Sequence, residues 1–305
     1  MASVICYALL LLSGAAVRLT GSGLGCPDWP SCYHTQFTAH ASFHPLVEFI
    51  NRCVTGLLTG VSVVALYVAF AREPRRRDLC WLAGGLVAGI AAQIVLGGVV
   101  VLTKLNPYLV SLHFLLTIVI LADAIVLYHR SGIGPDCDES RSEPTVSSDL
   151  RWLGRILLGT LALLTTAGTM VTGAGPHAGA PSAAGQPIRR VDIAFRAIAE
   201  LHSDFALFLI GLTLASLFAF HQAKVPAEVE RRLRLLFELL VMQGVIGYTQ
   251  YFLHDDPLVV EFHIAGVTAI WITAVSFYLL LHRHPERDTV ARPVVVTSPA
   301  VATTG

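Results

Sequence analysis

The chain has 305 residues, 54% of them hydrophobic and only 14% charged, with a mean hydropathy of +0.65. Soluble domains average about 25% charged residues, so this chain lacks the polar surface to cover itself in water. Its 21 basic and 21 acidic residues cancel, which argues against nucleic acid as a partner, and its six cysteines are too few and scattered for a disulfide framework, one close pair apart.

Runs of roughly 20 apolar residues are long enough to cross a bilayer as helix. They are predicted at about 2–19, 47–71, 79–102, 107–129, 151–173, 194–220, 232–253 and 257–282. The first is short enough to resemble a signal peptide, but it has no basic leader and has a counterpart in the fifth run. Basic residues gather in alternate loops: four in 72–78, then Arg130, Arg141 and Arg151, then Lys224, Arg231, Arg232 and Arg234, then Arg283, Arg287 and Arg292. That bias predicts a multi-pass membrane protein with both termini cytoplasmic.

The two halves repeat. RLTGSG from Arg18 matches MVTGAG from Met170 at an offset of 152, and Gln93, Gly97, Pro107 and His113 recur as Gln243, Gly247, Pro257 and His263 at an offset of 150. The predicted fold is therefore all-α, with eight transmembrane helices in two pseudo-symmetric four-helix bundles. The expected units are 1–130, a polar cytoplasmic linker at 131–150, 151–282, and a disordered tail at 283–305.

Three histidines carry the chemistry. His113 and His263 each lie six residues past a proline, roughly 9 Å inside the outer helix end at 1.5 Å per residue. His202 sits at comparable depth at the start of the sixth run, and ionisable residues at such depth are functional by default. For each alone, a neutral imidazole bonded to a neighbouring helix is the competing reading. For His202 and His263 together, at corresponding ends of alternate helices, axial ligation of a low-spin haem is the better one.

In the first half the place of His202 is taken by Asn51, a poor iron ligand, so a haem there would keep an open or weakly held position. Glu48 lies three residues before Asn51 on the same helix face and could move protons or stabilise positive charge; a salt bridge to Arg52 is the alternative. Arg18, Arg52 and Arg196 are expected near the outer surface, pairing haem propionates or snorkelling to headgroups. Cys26 and Cys32, in the outward loop CPDWPSC, suit a disulfide, with free thiols or a redox pair as alternatives.

The run VRLTGSGLGCPDWPSC, the EFINR that follows and the histidines opening the fourth, sixth and eighth runs resemble haem A synthase across nearly the whole chain. The resemblance implies oxidation of a ring methyl of haem O to the formyl group of haem A. It implies haem b between His202 and His263, and a substrate site served by Glu48 and His113. A quinol or other electron donor and a haem O synthase partner come with it. The family reads E-x-x-H-R where this chain has Glu48, Asn51 and Arg52. The competing class is a non-catalytic diheme cytochrome relaying electrons from quinol.

Overall fold

A computed structural model describes residues 1–134, 142–177, 179–180 and 189–283. Eight helices dominate them: α1 (Ala2–Leu19), α2 (Phe43–Ala71), α3 (Arg77–Leu102), α4 (Pro107–Ser131), α5 (Ser148–Ala174), α6 (Phe195–Gln222), α7 (Ala227–Phe252) and α8 (Pro257–Leu280). Two short strands, β1 (Glu143–Pro144) and β2 (His282–Arg283), pair antiparallel and tie the linker to the end of α8. The part of the linker at 135–141 and the tail at 284–305 lie outside the described residues.

The helices fall on the expected apolar runs, with two informative differences. Helix α2 begins at Phe43, four residues earlier than expected, because Pro45 is tolerated in a first turn where no intrahelical donor is required. That brings His44 onto the helix. Among the described residues seven helices are long and apolar enough to cross a membrane; α7 is as long but carries Glu228, Glu230, Arg231, Arg232, Arg234 and Glu238 in its first half.

The repeat is visible in the backbone. The α3–α4 turn places Lys104 and Leu105 at φ 54° and 60°, and the α7–α8 turn places His254 and Asp255 at 56° and 60°. Both following helices then open alike, with proline at the first position, where a missing N–H costs nothing. Asn106 caps α4 by accepting from Tyr108 N, and Asp256 caps α8 by accepting from Leu258 N and Val259 N.

Helix α1 packs on α2, α4 and α8; α3 joins α2 to α4; α6 and α7 close a ring with α5 and α8; and α4 touches both α5 and α8. One apolar core gathers Leu157, Leu161, Leu209, Leu236, Phe277 and their neighbours, a second Tyr7, Leu58, Leu86, Ile90 and Leu121, and Trp271 of α8 packs against both. The loops that follow α1 and α5 dock on each other. Gly23 N donates to Gly179 O at 2.7 Å, and a side chain on Gly23 would strike that carbonyl. Arg18 donates to Thr172 O at 2.9 Å and His177 O at 2.8 Å, and a ring nitrogen of His177 lies 2.6 Å from Asp255 O.

Candidate functional site

In the second half, α6 and α8 bring His202 and His263 together, ring centroids 6.3 Å apart and planes tilted by 59°. The approach is built on glycines of the neighbouring helices. A Cβ on Gly168 of α5 would lie 2.9 Å from His202 Cε1, and one on Gly247 of α7 would lie 3.3 Å from His263 Cε1. His202 Nδ1 meets Leu164 O at 3.1 Å, so the ring donates there and turns Nε2 inward with its lone pair. His263 is held by its backbone, through Gln243 Nε2 donating to His263 O at 2.7 Å, while its buried Nδ1 has no partner.

These residues fit a haem. A metal–nitrogen bond of about 2 Å on each side, plus roughly 1 Å from nitrogen to ring centre, sets two axial imidazoles about 6 Å apart. Among the described residues no group of three or more His, Cys, Asp and Glu side chains forms a cage for a bare ion.

The first half keeps one side of this arrangement. Gln93 Nε2 donates to His113 O at 3.0 Å, Gly97 leaves room for the His113 ring (a Cβ would be 3.2 Å from Cε1), and His113 Nδ1 is buried without a partner. At the position that corresponds to His202, Asn51 Oδ1 accepts from Ser13 Oγ of α1 at 2.8 Å, so the asparagine links two helices. His44 stays at the start of α2, its Nδ1 3.1 Å from Ser22 Oγ.

Glu48 is 5% exposed, and its hydrogen bonds go to the 26–32 loop and to Arg52, not to His113. Cys26 N donates to Oε2 at 2.8 Å and Arg52 Nη2 donates to Oε1 at 2.7 Å. The same guanidinium donates to the carbonyls of Cys26, Asp28 and Ser31 at 3.1, 3.1 and 3.2 Å, and to Pro30 O at 3.5 Å. Cys26 and Cys32 are joined as a disulfide, so α2 grips a closed loop. Gly25 lies under that loop, where a side chain would collide with the His44 backbone.

Of the arginines expected to pair haem propionates or snorkel to headgroups, Arg18 donates to carbonyls of the opposite loop, Arg52 to the cysteine loop, and Arg196, largely exposed, to Glu200 at 2.7 Å. Two features were missed in the sequence. Trp29 projects from the loop onto Gly98 of α3, and Asp123 of α4 stands over Gly85 within a span. The GG at 97–98 against GY at 247–248 was the available signal for the first.

The chain is 31% identical over 128 residues to heme A synthase of Listeria welshimeri, covering 41% of this chain and 42% of that protein. It is 30% identical over 129 residues to heme A synthase of Lysinibacillus sphaericus, again 42% of each. The chain thus spans less than half the length of these relatives. It is 26% identical over 318 residues to heme A synthase of Shewanella oneidensis, covering 92% of this chain and 96% of that one. The family model for the cytochrome oxidase assembly protein COX15-CtaA matches residues 1–206, a stretch that takes in the cysteine loop, Glu48, Asn51, His113 and His202, and the chain belongs to that family.

Proposed function

We propose that this protein is a membrane oxidoreductase that converts haem O to haem A, taking a ring methyl through the hydroxymethyl stage to the formyl group. The observation that carries this reading is the asymmetry of a duplicated pattern, with His202 and His263 6.3 Å apart in one half and, in the register of the repeat, His113 kept but Asn51 in the place of His202 in the other. A pure electron relay gains nothing from losing a ligand in one of its two sites. An oxidase of haem needs one site that holds its cofactor and one that accepts a substrate.

In this proposal α1–α4 and α5–α8 form two bundles, all eight helices cross the plasma membrane, and both termini are cytoplasmic. The second bundle holds haem b between His202 and His263, where the group supplies one-electron transfer. His202 is fixed for that by Leu164 O, and His263 by Gln243. The first bundle receives haem O on His113. Glu48, oriented by Arg52 and by the Cys26 N–H, presents fixed negative charge that would stabilise positive charge developing on the substrate. Each stage would oxidise the methyl carbon by two electrons: dioxygen as the oxidant would take those two together with two from a quinol or another membrane donor, leaving one oxygen atom on the carbon and releasing the other as water. Docking of a haem O synthase would deliver the apolar substrate without passage through water.

Acid extraction and chromatography of the haems in the purified protein tests the reading. Haem b with haem O and haem A is expected; haem b alone, with no conversion of added haem O, would leave the diheme relay.

A further inference from the structure

The two halves join corresponding helices by different means at one position. In the second half, Tyr248 of α7 reaches α6 directly, its hydroxyl 3.1 Å from Ser203 Oγ. In the repeat register Tyr248 corresponds to Gly98, at an offset of 150, and Ser203 to Arg52, at an offset of 151. So the first half has a bare backbone where the tyrosine stands, and a long cation where the serine stands. The gap is filled from outside the bundle. A Cβ on Gly98 would lie 2.5, 2.7 and 2.9 Å from Trp29 Cδ2, Cε2 and Cγ, which places the indole against the α3 backbone, one residue from the Gly97 that makes room for His113.

The loop bearing Trp29 is gripped from α2. Arg52 binds the carbonyls on both sides of the tryptophan, Asp28 O and Pro30 O, while Glu48 takes the N–H of Cys26 and the disulfide closes the loop at Cys32. The link Ser203–Tyr248 is thus replaced by Arg52, loop and Trp29. Trp29 keeps 37% of its surface open, so it is a wall with one free side.

We propose that Trp29 is a positioning residue of the first-half haem site, standing in for the side chain that Gly98 lacks and closing the outer side of the His113 site as a removable wall. The inference rests on the reading of that site as the place where haem O enters and haem A leaves. A resident cofactor is served by a wall built into a helix, as Tyr248 is. A substrate that must exchange is served by a wall carried on a loop, whose hold is a set of hydrogen bonds to one guanidinium. A large aromatic ring offers apolar area to a porphyrin at low conformational cost.

The test is the rate at which haem O leaves the protein for an excess of a haem-scavenging apo-globin, with the low-spin spectrum of the second half as the check that each variant is folded. Trp29→Ala should speed release of haem O by about tenfold or more and leave haem b in place. Gly98→Ala should do the same, because its methyl displaces the indole. The double variant Trp29→Ala with Gly98→Tyr puts the wall on the helix, as in the second half, and should slow release below that of the wild type. Release unchanged in Trp29→Ala, or no slowing in the double variant of intact spectrum, overturns the proposal. Wild-type protein that retains haem O but never converts it would overturn the enzymatic reading, and leave the wall intact because release reads binding alone.

Discussion

The halves of this molecule share a frame and differ in what the frame holds. Both have the left-handed turn before a proline-opened helix, the glutamine that ties down the backbone of the histidine, and the glycine beside its ring. The differences on α1 and α2 against α5 and α6 are Asn51 against His202, Ala16 against Gly168, and Glu48 with Arg52 against Ala199 with Ser203; on α3 against α7, Gly98 stands against Tyr248. The lesson is that the two halves keep the histidine, the glutamine that ties down its backbone and the glycine beside its ring, while the residues around these three differ.

The most severe way to break the comparison is to remove a ligand from the complete site. His202→Ala or His263→Ala should abolish the low-spin haem b spectrum while haem O still binds the first half. A full low-spin spectrum in both variants would mean that the two rings, 6.3 Å apart, do not bind iron.

Next in size is the grip that only the first half has. Arg52→Ala leaves the nearly buried Glu48 carboxylate without its cation, and breaking a buried pair costs about 3–5 kcal/mol. The Arg52 side chain is 23% exposed, so the lower end of that range applies. The measurement is proteolysis of the 26–32 loop, which should become rapid in Arg52→Ala and less so in Arg52→Lys; equal resistance in both would show that the guanidinium fan is dispensable. Smaller again is the disulfide. Replacing Cys26 and Cys32 by serine removes closure of a short loop, about 2 kcal/mol. It should accelerate loss of haem O from the first half and leave haem b unchanged.

Much of this frame was legible in sequence because bilayer-spanning helices announce themselves as apolar runs, and because duplication prints the same residues twice. Gln93 and Gln243, or His113 and His263, need no coordinates to be paired. What was not legible depends on where loops land. Glu48 three residues before Asn51 reads as a shared helix face, but nothing in that spacing says that both carboxylate oxygens turn to Cys26 and Arg52. Arg18 near an outer helix end reads as a headgroup or propionate partner, whereas docking of the two glycine loops gives it carbonyls across the repeat. Trp29 on Gly98 is a contact between segments about 70 residues apart, which no periodicity reports.

The finest test asks whether the lost ligand can be restored. Asn51→His puts an imidazole where the second half has His202, yet the surroundings of that position have also changed. His202 lies against Gly168, where a Cβ would sit 2.9 Å from the ring, and the residue in register with Gly168 at an offset of 152 is Ala16. A new histidine at position 51 would therefore meet the Ala16 methyl and would lose the Ser13 hydrogen bond that Asn51 now accepts. Overpacking by one methyl costs about 1–3 kcal/mol, enough to leave the ring short of the iron. Asn51→His alone should give a mixture of high- and low-spin haem O, and Asn51→His with Ala16→Gly a uniformly low-spin site, the two substitutions coupling by about 1 kcal/mol. His44→Ala should leave the wild-type spin state as it is, since His44 is engaged with Ser22. If the wild-type first site is already fully low-spin and loses that on His44→Ala, the ligand role belongs to His44. If instead the single Asn51→His variant is as low-spin as the double, Ala16 does not guard the site, and the asymmetry of the two halves reduces to one residue.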